Sequence, residues 1–505
     1  MIDGTGLPAF RADVGIVGDR ISAVGRLEKA TAKHRFDASK KYVAPGFIDA
    51  HVHGDLSLLE DPYHEPAIRQ GVTTYILGQD GVAMAPASPS TLEYMRQYTA
   101  GFSGLFNPPK DRFSMADYLA CFDRKVALNV ACLIPNGNVR MDAMGLEKRP
   151  PTATELKTMR RLVREAMEQG AVGLSSGLDY IPSRYADVHE LSALSEEIAP
   201  FDGVYVTHMR RYDPAGVIES MDEVFQIGRD AGCAVHISHF NSQANLVLPH
   251  FDRANHEGLD ATYDLYCYLA GSSILAMIAL PPEIQEGGID ATVARLKDKS
   301  VREQYRDGGK LGRGTLEGVK LAFIRSERYR SHEGKSLAEA AKDEGMDLHE
   351  FVCEILADSE MAVGCVAPHR NREESDIDGL ITHPGMMAGS DGIYTGSHPH
   401  PRGCGCFARY LGHYVRERRL WTWEQAVQHL SAHAARRFGL SDRGLIMESK
   451  AADVIVFDPE TVAENATYEE GKTLASGMDL VVVNGEIVLE SGERKPVLPG
   501  RALPA

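Results

Sequence analysis

Four short segments of the chain carry side chains of the kinds that bind metal ions, and each follows an apolar run typical of a β-strand. They contain His51 and His53 in FIDAHVHGD, His208 in VYVTHMR, His239 in VHISHF and Asp391 in MMAGSDG. Residues two apart in a strand point to the same side, so His51 and His53 can present both imidazoles to one ion. Imidazole and carboxylate ligands together suit zinc or a similar divalent cation. Three or more such ligands with an open coordination position indicate hydrolytic chemistry.

The elements that must bring these side chains together are eight apolar, strand-like runs, most of them followed by a helical pattern. The runs cover residues 47–53, 72–77, 126–134, 171–175, 204–208, 233–239, 260–266 and 386–391. Strands that alternate with helices form right-handed βαβ units, and eight units predict an α/β fold of the (β/α)8 TIM-like barrel type. The candidate ligands all stand at the C-terminal ends of predicted strands, which form the catalytic rim of such a barrel.

Two regions fall outside this alternation. Residues 1–45 and 446–505 contain short strand patterns, including an Asn484-Gly485 hairpin signal, and are predicted to pair into a small β-sandwich domain formed by both chain ends. Residues 46–445 are then the metal-dependent hydrolase barrel. The stretch between the seventh and eighth strands is far longer than a crossover helix needs, which predicts an inserted helical subdomain at about residues 284–350. Such an insert is well placed to cover the rim as a lid.

The composition argues against several classes of partner. The net charge of -17 and the lack of a Lys/Arg run argue against nucleic acid, whose binding needs a basic face. Eight cysteines are scattered without the pattern of a secreted disulfide scaffold, which predicts reduced thiols in a cytoplasmic protein. The sequence has no apolar run of about 18 residues and no export signal at its N-terminus, so no membrane association is expected. It carries no signal for an oligomeric state.

Longer motifs across the chain resemble those of a known group. The segments are VAPGFIDAHVHGD, GVTTYILGQDG, GAVGLSSGLDYIPS, THMR, ISH, YDLYCYLAGS, GSDG with a following HPR, and AADVIVFDP. Together they resemble the amidohydrolase superfamily and, within it, the N-acyl-D-amino-acid deacylase (D-aminoacylase) family, over nearly the whole chain. The resemblance implies that His51 and His53 hold one metal ion and that His208 and His239 hold another. It also implies that Asp391 both contacts metal and shuttles protons.

One departure from this family concerns the metal site. Relatives usually have Asn-Cys-Gly after the second strand, with the thiolate as a ligand that can bridge two metal ions, whereas this chain has Gln79-Asp80-Gly81. Asp80 is therefore predicted to be a ligand in place of the thiolate. A carboxylate can also bridge two cations, but it is a harder ligand than sulfur. The expected cofactor is one or two Zn²⁺ ions, with another divalent metal as the alternative.

A second departure concerns the substrate. The family tends to have a lysine two residues after the sixth-strand histidine, where it helps to bind the substrate carboxylate, and this chain has Asn241. Arg402 is retained, and its planar guanidinium suits a carboxylate bidentately. Tyr266 and Tyr268 are assigned to the same strand face as Asp264 and are predicted to complete that contact. The expected partner is a small-molecule carboxylate, an N-acyl amino acid, with the D-isomer preferred.

These residues predict a metal-dependent amide hydrolase. Metal coordination lowers the pKa of water toward about 7, and the resulting hydroxide attacks the amide carbonyl while the cation stabilises the oxyanion. Asp391 is predicted to accept the proton of that water and to return it to the leaving amine. The nearest alternative is a cyclic amide hydrolase of the dihydroorotase or hydantoinase type, whose usual carboxylated lysine is missing from AVGLSSGLDYIPS. A non-catalytic assembly protein is a more distant alternative, since the ligand types are present.

Other histidines have simpler interpretations. His236 lies three residues before His239, so strand parity turns it away from the ligands and it is predicted to be a core or supporting histidine. His398 and His400 belong to a predicted rim loop, where a surface role and a substrate contact have equal weight. The chain begins at MIDGTG, several residues short of its relatives, so an upstream start codon is expected.

Overall fold

A computed structural model describes residues 1–307, 316–369 and 372–504, and the strands in this part of the chain form five sheets. In chain order the strands are β1 (Asp13–Val17), β2 (Arg20–Gly25), β3 (Tyr42–Pro45), β4 (Phe47–Asp49), β5 (Val72–Leu77), β6 (Asn129–Cys132), β7 (Ile134–Pro135), β8 (Gly173–Gly177), β9 (Val204–His208), β10 (Ala234–Ile237), β11 (Ala261–Leu265), β12 (Ala270–Ile274), β13 (Lys320–Ile324), β14 (Val363–Pro368), β15 (Met386–Ala388), β16 (Val454–Phe457), β17 (Met478–Val483), β18 (Glu486–Glu490) and β19 (Glu493–Arg494).

The longer helices alternate with the parallel strands, as βαβ units require. The α-helices are α1 (Asp55–Glu60), α2 (Glu65–Ile68), α3 (Pro89–Tyr98), α4 (Ala100–Ser103), α5 (Met115–Phe122), α6 (Asn136–Met144), α7 (Ala153–Glu168), α8 (Val188–Ser195), α9 (Val217–Ala231), α10 (Ala244–His256), α11 (Leu275–Ala279), α12 (Ile289–Lys297), α13 (Lys299–Asp307), α14 (Leu337–Asp343), α15 (Leu348–Asp358), α16 (Glu374–Ile381), α17 (Arg402–Arg409), α18 (Trp423–Val427) and α19 (His433–Arg437). Two π-helical segments, Tyr410–Glu417 and Gln428–Ala432, continue α17 and α18. Within the described ranges, no helix has both the length and the apolar character needed to cross a membrane.

Nine parallel strand segments, which make up eight strands, close into a barrel. One sheet has the order β4-β5-β6, and a second has the order β7-β8-β9-β10-β11-β15. β6 and β7 are one strand interrupted at Leu133, whose amide still donates to the carbonyl of Leu77 at 2.9 Å. The ring closes where the amide of Ala50 donates to the carbonyl of Ala388 at 3.1 Å. The predicted (β/α)8 architecture is confirmed.

The interior of the barrel contains an apolar cluster beneath the candidate ligands. A cluster of Ile48, Ile76, Ala131, Val206 and Met387 draws one residue from each of five strands, so it must lie inside the ring. Helices cover the outer face, and all the residues of β5 and β6 are therefore buried. This filled core leaves the C-terminal rim as the place where polar side chains can gather.

The two ends of the chain form a small domain beside the barrel. Its antiparallel sheet has the order β19-β18-β17-β16-β3, so one edge strand comes from the start of the chain and the other strands come from its end. The β1-β2 hairpin packs on this sheet, with Ile16 and Ile21 in one cluster with Val456. The Asn484-Gly485 turn joins β17 to β18 with φ of 49° and 79°, as the hairpin signal predicts. The domain boundaries at residues 45/46 and 445/446 stay a prediction.

The insert between β11 and β15 has a core of its own. It contains helices α11 to α15, as the pattern predicts, together with an antiparallel sheet of order β12-β14-β13 that the sequence did not indicate. β12 reads AGSSI, which lacks the apolar alternation that marks a strand. Tyr180 and Ile393 from the barrel loops share the core of the insert, so the insert covers the rim. Residues 308–315 of the predicted subdomain lie outside the described residues, and its limits stay a prediction.

A buried polar network joins the small domain to the barrel. Asp453 precedes β16 and accepts hydrogen bonds from the side chain of Asn129 in β6 at 2.8 Å and from the amide of Asn484 at 2.7 Å. Arg443 Nε lies 3.2 Å from Asp453 Oδ2, and all four residues are buried. Because these groups are shielded from water, each depends on the others for its polar contacts.

Replacement of Asp453 by alanine is expected to lower the free energy of unfolding by about 3–5 kcal/mol, because it removes the nearer and buried carboxylate partner of the Arg443 guanidinium. Urea unfolding followed by circular dichroism measures the change. Glu493→Ala is the control, since this carboxylate belongs to the same small domain, is 81% exposed and pairs with Lys495 at 3.5 Å. The control is expected to cost at most about 1 kcal/mol. Equal losses in the two variants would contradict the role of the network.

Candidate metal centre

Six side chains with metal-ligating groups meet at the C-terminal rim of the barrel. They follow or end five different strands: His51 and His53 after β4, Asp80 after β5, His208 at the end of β9, His239 after β10 and Asp391 after β15. The strands are shorter than the sequence predicts, so five of the six side chains stand on short loops. Val52 forms a single bridge to Gly392, and the flanking histidine rings lie with their centroids 5.4 Å apart.

The carboxylate of Asp80 faces all four histidines. Its Oδ1 lies 3.6 Å from His51 Nε2. Its Oδ2 lies 3.5 Å from His53 Nε2 and 3.6 Å from both His208 Nδ1 and His239 Nε2. Two ligands that are each about 2.0–2.2 Å from a shared ion lie about 3.4 Å apart at a tetrahedral angle. The observed distances therefore match the edges of a metal coordination shell.

The ligand atoms form two groups that share Asp80. His51 and His53 belong to the first group, His208 and His239 to the second, and the atoms within each group lie within 4.8 Å of one another. His51 Nε2 and Asp80 Oδ1 are buried and have no hydrogen-bond partner in the described part of the chain. Buried polar atoms of this kind are costly unless something satisfies them. The residues present fit one or two divalent cations, with Asp80 between them.

Asp391 lies beside the first group and contacts an arginine. Its Oδ1 lies 3.3 Å from His53 Nε2, and its Oδ2 lies 2.9 Å from Arg402 Nη1. Burial alone would raise the pKa of Asp391, but Arg402 and the histidines hold it well below its usual range. Burial alone would lower the pKa of His53, but Asp391 and Asp80 raise it to about 10. The rim thus concentrates negative potential, which favours a bound cation.

Three of the six residues have a left-handed backbone. The φ angles are 57° at Asp80, 32° at His239 and 50° at Asp391. Residues other than glycine adopt this region rarely, at a cost of about 1–3 kcal/mol each, and such strain gathers at functional sites. The loop that carries Asp80 is tight, since a Cβ on Gly78 would lie 2.3 Å from the carbonyl oxygen of Leu133. The rest of the barrel therefore holds these side chains in place against local strain.

Asp264 in β11 positions two of the histidines from behind. Its Oδ2 lies 3.3 Å from His51 Nδ1 and 3.0 Å from His236 Nε2, and its Oδ1 accepts a hydrogen bond from the amide of His239 at 2.8 Å. With this contact at Nδ1, the other ring nitrogen of His51 faces the carboxylate of Asp80. Burial alone would raise the pKa of Asp264, but His51 and His236 hold it well below its usual range. The role of Asp264 was not predicted from the sequence, although a carboxylate inside a buried strand is a signal of a polar partner.

A cavity of about 860 Å³ opens over the ligands and exposes five of the six, all except His51. Its lining includes apolar side chains, most of them from the insert or next to it: Phe102, Met277, Ile278, Leu316, Val319 and Ile393. It also includes polar side chains, among them Arg184, Arg210, Arg211, Asn241, Tyr266 and His369. The cavity thus suits a small molecule that has both apolar and charged parts.

The three residues predicted to bind the substrate carboxylate have different positions. Tyr266 lines the cavity. Tyr268 does not line it, and its hydroxyl donates to Glu464 Oε1 at 2.6 Å. Arg402 lies behind the wall, where its guanidinium contacts Asp391 and stacks on the ring of Tyr266 at 4.5 Å. The structure therefore brings Tyr266 to the cavity, places Arg402 one side chain away from it and places Tyr268 apart from it.

The two histidines of the predicted rim loop do not line the cavity. His400 is buried, with its Nε2 3.0 Å from the carbonyl oxygen of Ala270, and its Nδ1 accepts a hydrogen bond from the amide of Arg402 at 3.0 Å. His398 lies 2.9 Å from the hydroxyl of Ser397. His400 thus fixes the backbone of the loop that carries Arg402.

Comparison with known proteins identifies the family. The model of the amidohydrolase family matches residues 35–489, a span that contains the whole barrel and all six candidate ligands. The chain belongs to the amidohydrolase family. The family predicted from the sequence motifs is therefore confirmed. The candidate ligands lie at the C-terminal rim, which is where TIM-barrel enzymes have their active sites.

The relatives of this amidohydrolase include deacylases. The chain is 34% identical over 493 residues to the N-acyl-D-glutamate deacylase of Alcaligenes xylosoxydans xylosoxydans, covering 96% of this chain and 91% of the relative. It is 33% identical over 500 residues to the D-aminoacylase of the same bacterium, covering 96% and 92%. Its structure matches that of the N-acyl-D-glutamate deacylase of Bordetella bronchiseptica, solved with zinc and a phosphonate mimic of the tetrahedral intermediate, with a TM-score of 0.84, 34% identity and coverage of 100% and 98%.

Replacement of Asp264 by asparagine is expected to weaken metal binding by about 10- to 100-fold, because His51 loses the carboxylate that sets its orientation. Metal content after dialysis against a graded series of chelator concentrations measures the affinity. Asp260→Asn is the control, since this carboxylate lies just before the same strand, is 72% exposed and pairs with Arg437. An unchanged affinity in Asp264→Asn would show that the histidines need no such support.

Proposed function

We propose that the protein is a metal-dependent hydrolase that cleaves the amide bond of an N-acyl-D-amino acid. The observation that carries the proposal is the meeting of four histidines around the carboxylate of Asp80, with Asp391 beside His51 and His53, at the base of a cavity with both apolar and charged walls. Relatives that match over nearly the full chain are named for deacylation of N-acyl-D-glutamate and for D-aminoacylase activity. These names support the linear amide and the D-isomer for this chain.

The two histidine pairs and Asp80 would hold one or two divalent cations, with Asp391 as a further ligand beside His51 and His53. Zinc suits the imidazole set, and a zinc complex is known for the Bordetella relative. The carboxylate of Asp80 is a hard ligand, so manganese and cobalt are reasonable replacements. The sharing of Asp80 between two groups supports both one-metal and two-metal forms.

A divalent cation held by these residues would supply the Lewis acidity that activates water and polarises an amide carbonyl. Asp391 faces the cavity and is held ionised by the pair with Arg402 at 2.9 Å, so it is ready to accept a proton from the attacking water. The same carboxylate then delivers the proton to the nitrogen of the leaving amine. Tyr266, on the cavity wall, orients the substrate, and the insert over the rim limits the access of bulk water.

Two other functions receive less support. A cyclic amide hydrolase usually has a lysine at the end of the fourth strand, and β8 reads GLSSG without one. The bridging place between the two ligand groups is taken by Asp80 instead. A non-catalytic assembly protein has no need for a complete ligand set beneath an open cavity. Hydrolysis of a linear amide therefore remains the first candidate.

We also propose that the protein acts in the cytoplasm on a small carboxylate. All eight cysteines are free and seven of them are buried, which suits a reducing compartment. The net charge of -17 is unsuited to nucleic acid, whereas the arginines in the cavity lining suit a small anion.

The proposed function is tested with purified protein loaded in turn with zinc, manganese and cobalt. The substrates are N-acetyl and N-formyl derivatives of D- and L-amino acids, with hydantoin and dihydroorotate as cyclic amides. We expect cleavage of linear D-substrates, measured as release of the free amine, and a strong preference over the L-isomers. Cleavage of the cyclic amides without cleavage of the linear ones would contradict the proposal.

Replacement of Asp391 by asparagine is expected to lower kcat by about 100- to 10,000-fold, because the variant has no base to move the proton. The four histidines and Asp80 still bind metal, so the metal content is expected to stay close to that of the wild type. Steady-state kinetics and metal analysis on the same preparation separate the two effects. A near-normal kcat would refute the role of Asp391 as the base.

A further inference from the structure

Arg372 is a buried cation that has no carboxylate partner among the described residues. It is only 5% exposed. Burial lowers the pKa of Arg372, which shows that its charge is costly where it stands. Arginines are rarely buried to this extent unless they are paired. An anion that enters from the neighbouring cavity would supply the missing partner.

The guanidinium of Arg372 lies directly behind the cavity wall. Its Nη1 donates to Asn241 Oδ1, and its Nη2 donates to the carbonyl oxygens of Tyr266, at 3.3 Å, and Tyr268. Its Nε is buried and has no hydrogen-bond partner within the described ranges. Its Cζ lies 5.7 Å from the centre of the Tyr266 ring. Asn241 and Tyr266 both line the cavity, so two residues connect the buried charge to that space.

These contacts form a series of hydrogen bonds in which each residue donates to the next, from Arg372 to His369. Asn241 uses its oxygen to accept from Arg372, so its amide nitrogen is free to donate to the hydroxyl of Tyr266 at 2.7 Å. The hydroxyl of Tyr266 then donates to His369 Nε2 at 2.9 Å. Burial and the two nearby arginines hold the pKa of His369 well below its usual range, so its ring is neutral and can accept. A cation at the start of such a chain strengthens each donor along it.

This series of hydrogen bonds leaves two N–H donors in the cavity wall for a carboxylate. The amide of Asn241 has a second N–H, and a neutral His369 that accepts at Nε2 carries its proton on Nδ1. Two arginines of the cavity lining are already balanced, since Arg210 pairs with Glu223 at 2.8 Å and Arg211 with Asp213 at 2.6 Å. The charge of Arg372 has no such balance in the described part of the chain.

We propose that Arg372 is a positioning residue that supplies positive charge for the substrate carboxylate and acts through Asn241 and Tyr266. The inference rests on the proposed function, because it takes the substrate to be an N-acyl amino acid. The carboxylate accepts hydrogen bonds from the wall residues, and Arg372 fixes and polarises those donors without touching the substrate. Its role differs from that of Arg402, which pairs with the proton carrier Asp391.

The test compares two substrates on the metal-loaded enzyme and its variants. One substrate is the N-acetyl-D-amino acid that the wild type cleaves best, and the other is its carboxamide, which has the same shape without the negative charge. In Arg372→Met we expect KM for the acid to rise about tenfold or more, with kcat changed less than about threefold. KM for the carboxamide is expected to change less than about twofold. Arg372→Lys restores the charge and is expected to recover part of the affinity for the acid.

An equal loss on both substrates, or no loss on the acid, would overturn the role of Arg372. Arg372→Gln is a second variant, which removes the charge and keeps an N–H donor for Asn241. It is expected to show the same selective rise in KM, and it decides the question if Arg372→Met does not fold. A wild-type enzyme that cleaves no N-acyl-D-amino acid would refute the proposed function. Wild-type cleavage with an unselective response in the variants would refute only the role of Arg372.

Discussion

The carboxylate of Asp80 faces four imidazoles at the C-terminal rim of the barrel. A nitrogen of every candidate histidine lies within 3.6 Å of an oxygen of Asp80, which is favourable when the groups share a cation. The four histidines and Asp80 come from four different strands, so their distances are set by closure of the barrel and not by any local segment. The apolar filling of the barrel beneath them keeps water away, which strengthens every electrostatic contact at the rim.

The strand β11 and the segment after it connect the candidate metal ligands with the cavity wall. Asp264, within the strand, orients His51 and holds the backbone of His239 on the metal side. Tyr266 follows the strand and faces the cavity, and the backbone on either side of it accepts hydrogen bonds from Arg372. A shift of this short stretch would disturb the metal ligands and the substrate wall together. The site is therefore better described as one connected polar network than as a metal centre with a separate pocket.

Local patterns account for what the sequence could predict. Apolar runs and the spacing of His51 and His53 are visible within a few residues, and they indicate the barrel and its metal-ligating rim. Asp264 and Arg372 were not recognised because their contacts are distant in sequence: Asp264 meets His51 across 213 residues, and Arg372 meets Asn241 across 131. Strand parity also has a limit. β11 ends at Leu265, so the two tyrosines that follow it do not share one environment.

The placement of β3 at the edge of the small domain sets an order for folding during synthesis. In the described structure β3 pairs with β16, and the pairing of Pro45 with Val454 joins residues more than 400 positions apart. A ribosome that adds about 5–20 residues per second needs about 20–80 s to produce that partner. Until then β3 has no β16 to pair with, and its edge stays uncovered. All the strands of the barrel are synthesised before β16, so the pairing of β3 with β16 is one of the last strand contacts that synthesis allows.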